Sequence, residues 1–224
     1  MAFIFVCFGL AGCSGSKKET AKPAQVSTEE GAGQNKAGST ADLMAKGQKL
    51  EGMSYDYTLT SGSLKMNGRV FLQQNKLRSE SKQNGVEIIT IMDGKTIYSY
   101  YPAQNTAVKF SADNSEEVET PVGYTKNMDA TKIKELGTGV CNGVTCRIIS
   151  FTSAQVKTET KMWIHSQYGI PVRVESTDES GNKTVIDYTN IKIGKQLSEL
   201  FTLPQGVNIT DMNNLAGKLP KIPG

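Results

Sequence analysis

Four cysteines and one histidine are the residues of this chain with nucleophilic, redox or metal-binding chemistry near neutral pH. Cys141-Asn142-Gly143-Val144-Thr145-Cys146 places two thiols at the ends of a four-residue loop, and its Asn-Gly pair suits a tight turn. Cross-strand residues directly opposed at such a turn lie near the span of a disulfide. The gap is four residues, not the two of thiol oxidoreductases, which favours a structural clip over a redox pair. Two thiols and His165 are too few for a zinc site. A catalytic triad would have to rest on His165 alone, a residue expected at a strand end, in solvent. Asp178-Glu179 and Glu116-Glu117, with Glu119, fall in stretches that read as loops. Neighbouring strand side chains point apart, so these are solvated acids and not facing catalytic carboxylates. Nothing here demands catalysis, and no metal or cofactor is expected.

The other two cysteines belong to the amino terminus. Leu10-Ala11-Gly12-Cys13 closes an apolar run, AFIFVCFGL over residues 2–10, and opens onto Ser14-Gly15-Ser16-Lys17-Lys18. A short greasy stretch ending in small residues is the pattern of a cleaved secretory segment. A membrane-spanning helix needs about twice that length. The four residues resemble the lipobox of a bacterial lipoprotein signal peptide. That resemblance implies cleavage before Cys13, a diacylglyceryl group on its thiol and acylation of the new amino terminus, with palmitate a fitting chain. Two or more chains make such an anchor stable where one is marginal. No Lys or Arg precedes the run, although a secretory leader normally carries one, which points to a start codon other than Met1. The competing reading is an apolar terminus with a chance cysteine. On the lipobox reading Cys7 leaves with the leader and Cys13 is lipidated. Cys141 and Cys146 then remain as an even pair in an oxidising compartment, so one disulfide is expected.

The elements that would position any site follow from composition and periodicity. Residues 14–39 contain Val26 as their sole large aliphatic side chain and no aromatic, too little to fold. As a flexible coil they would span about 25 to 30 Å. Residues 40–51 read as a short amphipathic helix, with Thr40 as cap, Leu43, Met44, Gly47 and Leu50 near one face, and Gly52 as stop. Strands follow: 53–60, a hairpin partner after Ser61-Gly62, then 76–82, 86–92, 95–101 and 105–110. Alternation lapses over 111–137, where a helical turn is expected at 129–136, and resumes at 139–151, 157–165, 170–177 and 183–193. Three regions are expected: a signal peptide at 1–12, a lipidated cysteine with its tether at 13–39, and one α+β domain dominated by antiparallel sheet at 40–224. The net charge of +3 is spread without a Lys/Arg block, which argues against nucleic acid as a partner.

Three segments, taken in order, resemble the family of lipoprotein carriers and outer-membrane lipoprotein-sorting proteins typified by LolA. Asp93-Gly94-Lys95-Thr96-Ile97-Tyr98-Ser99-Tyr100-Tyr101-Pro102 is similar to the family's turn-and-strand "DGK…Y.P". Met162-Trp163-Ile164-His165 with Gly169-Ile170-Pro171-Val172-Arg173 is similar to its "WID…GLP" hairpin, with histidine in place of aspartate. Leu200-Phe201-Thr202-Leu203-Pro204-Gln205-Gly206-Val207 resembles its closing "F..P.GV". The resemblance implies a curved antiparallel sheet, an incomplete barrel, covered by a few helices over an apolar concavity.

Candidate lining for such a concavity comes from the alternating strands: Met53, Tyr55, Tyr57 and Leu59, then Leu64, Met66, Val70 and Leu72. Ile89 and Ile91, and Met162 and Ile164, complete the set. The same residues would serve equally as a filled core beneath the helix, and the sequence leaves both open. Residues 86–101 are apolar on both parities, so both faces there need cover. Methionine suits an adaptable cavity for acyl chains. The leading expectation is a non-catalytic envelope lipoprotein, anchored through its acyl chains to the extracytoplasmic face of a bacterial membrane. It would bind a hydrophobic ligand such as a lipid or an acylated protein. The alternative is a sensor or interaction module with a filled core that docks an envelope protein partner.

Overall fold

Period-two alternation becomes strand almost throughout the computed structural model, which describes residues 38–111, 120–126, 132–152 and 158–212. These belong to one compact unit, Gly38–Gly224. The leader, Cys13, the tether up to residue 37, Glu116, Glu117, Glu119, positions 129–131 and the tail beyond 212 lie outside the described residues.

The first arm is a meander of six strands: β1 (Gly52–Ser61), β2 (Leu64–Gln73), β3 (Lys76–Gln83), β4 (Val86–Asp93), β5 (Thr96–Tyr101) and β6 (Thr106–Ser111). The second arm runs through β7 (Lys134–Cys141), β8 (Val144–Thr152), β9 (Glu159–His165), β10 (Pro171–Thr177) and β11 (Lys183–Ile193). β11 returns to pair antiparallel with β1, which joins the arms. A short β12 (Asn208–Asp211) then adds in parallel to β6. The result is one open twelve-stranded sheet in the order β12-β6-β5-β4-β3-β2-β1-β11-β10-β9-β8-β7. The open, curved antiparallel sheet is as expected. The helical cover is slighter, since the described α-helices are α1 (Thr40–Gly47) and the single turn α2 (Gly123–Lys126). The helical turn expected at 129–136 is strand from Lys134 onward, where β7 begins.

Within 139–151 the turn expected at Asn142-Gly143 joins β7 and β8 as a hairpin. Asn142 and Gly143 both adopt positive φ, 50° and 78°, the two-residue turn that Asn-Gly favours because it matches strand twist. That turn pairs Cys141 with Val144 and Cys146 with Gly139. The thiols are therefore diagonal, not opposed. Diagonal neighbours lie about 7–8 Å apart, beyond the usual reach of a disulfide. Both are free, against the expected clip. Burial pushes the Cys146 thiol up to about 11. Iodoacetamide at pH 8 is expected to modify Cys141 in the native protein and Cys146 only after unfolding; prompt native alkylation of Cys146 would contradict this burial.

Ser39, not Thr40, caps α1. Its hydroxyl accepts from the Asp42 amide while the Asp42 carboxylate accepts from the Ser39 amide, a reciprocal capping box. Thr40 is instead buried, donating to Glu135 and accepting from Arg147, whose guanidinium also reaches the Gly38 carbonyl at 3.0 Å. The helix ends at Gly47, four residues short of expectation, and Gly52 opens β1 instead of stopping the helix. Met44 drops into a core with Ile149, Met162, Ile164 and Ile170. The helix can approach this closely because of Gly169, at φ 72°, where a Cβ would collide with the Leu43 carbonyl.

The opposite face of the first arm is covered by chain rather than helix. After β11 the segment 194–207 crosses it, with a 3-10 turn at Ser198–Phe201. Phe201 packs on Ile89, Ile91, Tyr100 and Ala107, with Phe71, Tyr98, Leu200 and Leu203 at the margin. This answers the double parity of residues 86–101. One face lies under the carboxy-terminal strap, and on the other Ile97 is buried while Ile88, Met92 and Tyr101 are half-buried.

Candidate functional site

Strand register assembles the concave face in rows. Leu59 lies between Ile186 of β11 and Met66 of β2, and Tyr57 lies between Tyr188 and Gly68. Tyr55 faces Val70, which faces Ser79 of β3, and Leu72 faces Leu77. Every second residue shares the face, so β1, β2 and β11 each contribute two or three apolar side chains to one surface and β3 adds Leu77. Under α1 this surface is filled. On the same face Tyr55, Tyr57, Leu59, Met66, Val70, Leu77, Ser79, Ile186 and Tyr188 line a pocket of about 220 Å³, and five of them, Tyr55, Val70, Leu77, Ile186 and Tyr188, also belong to the buried core.

The pocket's polar atoms are hydroxyls, from three tyrosines and one serine. Burial, with Tyr57 beside it, holds the Tyr55 phenol well above its ordinary value. Burial also raises Tyr57, against the opposing hydrogen bond with Ser79. Both phenols therefore stay neutral across the physiological range, and no lining residue is a carboxylate or a cation. Tyr55 and Tyr188 meet edge to face, 5.3 Å between centroids at 88°, the favoured arrangement for two rings. Such a surface can bury an apolar group and offer it a neutral hydrogen bond. It cannot compensate a buried charge.

Five of the twelve expected lining residues come together here: Tyr55, Tyr57, Leu59, Met66 and Val70. The others go elsewhere, each for a physical reason. Met53, Met162 and Ile164 share the concave parity but lie where the core beneath α1 closes over them, at most 1% exposed. Leu72 packs at the margin of that core. Ile89 and Ile91 have the opposite parity and pack beneath the carboxy-terminal strap. Leu64, next to the hairpin turn, is 52% exposed. Leu77, Ser79, Ile186 and Tyr188 were missed. Leu77 and Ser79 reach the pocket through the β2–β3 hairpin, whereas the place of Ile186 and Tyr188 depends on the long-range pairing of β1 with β11.

The remaining candidates have structural surroundings. His165 ends β9 half-buried rather than solvated, stacked on Tyr168 at 4.4 Å, and its Nδ1 accepts from the Gln167 amide at 3.1 Å. Burial lowers its pKa. The unfolded chain thus binds more protons near pH 6, and stability is lost as pH falls through the unfolded value of about 6.5 toward the lower folded one. A lower melting temperature at pH 5.5 than at 7.5 is expected, with a smaller gap in His165→Gln; an equal gap in both proteins would contradict this. Asp178 closes the β10–β11 turn, accepting from the Asn182 amide at 2.8 Å and its side-chain amide at 2.9 Å. On the convex face Arg173 bridges Asp187 and Glu175, and Lys183 also reaches Glu175. Arg69 grips Asp56, which Asn190 also contacts from the β11 bulge. Among the described residues no three His, Cys, Asp or Glu side chains converge as metal ligands. No described helix is long and apolar enough to cross a membrane.

No protein-family model matches the sequence, and no curated protein matches it either. Solved structures do. MucB aligns over 79% of this chain and 66% of its own length, with 10% identity and a TM-score of 0.54. An uncharacterized conserved protein from Thermus thermophilus aligns over 77% of this chain and 96% of its own, with 14% identity and a TM-score of 0.52. The fold is one shared with MucB. That is the open antiparallel sheet which the sequence resemblance implied. The sheet also matches the MucA/MucB complex of Pseudomonas aeruginosa, over 74% of this chain and 61% of that one, with 7% identity and a TM-score of 0.50. The chain therefore spans about two thirds of the MucB chains it matches, and at these identities the likeness concerns fold alone.

Proposed function

We propose that this chain is a cell-envelope lipoprotein, held at the membrane by acyl chains on Cys13, whose half-barrel binds a hydrophobic ligand without covalent catalysis. The observation that carries this reading is the 220 Å³ pocket between β1, β2, β3 and β11. It is walled by aliphatic and aromatic side chains, and its hydrogen-bonding groups are all neutral hydroxyls. Burial of apolar surface drives binding, about 0.8 kcal/mol per methylene before ordering costs. A lipid or an acylated protein offers such methylenes, and the lipobox reading of Leu10-Ala11-Gly12-Cys13 puts the pocket in the compartment where both occur. Calorimetric titration with methyl laurate tests the reading. Saturable uptake at one site per chain supports it, and no heat of binding up to the ester's solubility limit contradicts it.

A second reading, a sensor or interaction module docked to an envelope protein, draws on the likeness to a MucB that has been solved in complex with MucA. The exposed Val140 on edge strand β7, 75% accessible, also favours it. The edges themselves speak against strand addition. A bulge between Glu135 and Gly137 breaks the β7 ladder, and β12 presents four residues. Bulges and very short edges are devices that discourage edge-to-edge pairing. The pocket reading is therefore preferred.

A further inference from the structure

The dimensions of the pocket narrow its ligand further, on the footing that it binds one at all. An apolar cavity of about 150 Å³ takes a single benzene-sized molecule, and pockets for drug-sized molecules begin near 300 Å³. At about 220 Å³, the space fits one unbranched chain segment and not a pair of chains. Its uncharged lining requires the enclosed part of the ligand to be uncharged.

Tyr57 sits on β1 between Tyr188 and Gly68, in the middle of the lining. A Cβ at Gly68 would lie 2.9 Å from Tyr57 Cε1 and 3.1 Å from its hydroxyl. The phenol ring therefore rests on bare backbone and forms part of the pocket wall beside Ser79. We infer that Tyr57, seated on Gly68, is a specificity-determining residue that gauges the length of a single uncharged alkyl chain.

Titration of the full chain with straight 1-alkanols, from hexanol to dodecanol, reads the gauge. In the wild type, affinity rises about fourfold per methylene and then levels off at the length that fills the pocket. Tyr57→Val, which keeps a strand-forming side chain while removing the ring, moves the plateau to longer chains. Tyr57→Phe, which keeps the ring, leaves it in place. Tyr57→Leu gives the same shift as the valine variant and replaces it should that variant fail to fold. A plateau unmoved in a folded ring-less variant overturns the gauge while alkanol binding, and with it the proposed function, stands. A wild type that takes up no alkanol overturns both.

Discussion

A carboxylate introduced at position 66 is expected to weaken methyl laurate uptake about a hundredfold or more at pH 7.5 while leaving the protein folded. Met66 faces Leu59 across the β1–β2 ladder and is half-buried, so Met66→Asp presents its charge to the pocket without forcing it into the closed core. None of the lining side chains is cationic. Enclosing the ligand would strip water from an unpaired carboxylate, at a cost of several kcal/mol, and about 2.7 kcal/mol already corresponds to a hundredfold. The sign with pH is fixed. The bound state favours the protonated carboxyl, so affinity recovers as pH falls toward 5 and below. Lys65→Asp, one residue away on the solvent side, serves as control and is expected to change uptake less than twofold. Equal losses in the two variants, or a Met66→Asp loss indifferent to pH, would contradict the pocket.

The largest effect on stability is expected at Gly169. It occupies φ 72° in the turn between β9 and β10, and a Cβ there would run into the Leu43 carbonyl of α1. A reciprocal constraint exists on the helix, where a Cβ at Gly47 would strike the Gly169 carbonyl. Helix and turn thus meet backbone to backbone, and that approach lets Met44 close the core over Ile164 and Ile170. Gly169→Ala combines backbone strain with displacement of α1, so a loss of about 3 to 5 kcal/mol is expected. For a domain of this size that corresponds to roughly 10 °C in melting temperature. Gly62→Ala, at φ 57° in an open hairpin turn with no heavy atom near its Cβ position, carries strain alone and is expected to lose about 1 kcal/mol. Comparable losses at the two positions would show that the helix does not depend on the Gly169 contact.

What could be read from the sequence was what short-range pattern determines. Alternation in Met53-Tyr55-Tyr57-Leu59 and the turns at Gly62, Asn84-Gly85 and Asp93-Gly94 specify strands and hairpins, and these formed where expected. Five pocket residues followed, because they share strand parity with the core. Parity does not distinguish filled from open, however. Tyr57 and Met162 look alike in sequence, yet Met162 is fully buried in the core and Tyr57 lines the pocket. Ile89 and Ile91 went to the opposite face because the strap after β11 returns to cover them. No local pattern announces that strap. The cysteines show the same limit at shorter range. Their spacing suggested opposition, but the two-residue Asn142-Gly143 turn set the register and made them diagonal.

The central claim is that the pocket between β1, β2, β3 and β11 holds a hydrophobic ligand. Native mass spectrometry of the protein purified from the cell envelope, before and after solvent extraction, tests it most directly. The account predicts an adduct in the lipid mass range that extraction removes, that reappears on incubation with phospholipid or acylated peptide, and that is lost in Met66→Asp. A mass matching the chain with its covalent modifications alone, unchanged by extraction and by both incubations, would contradict it.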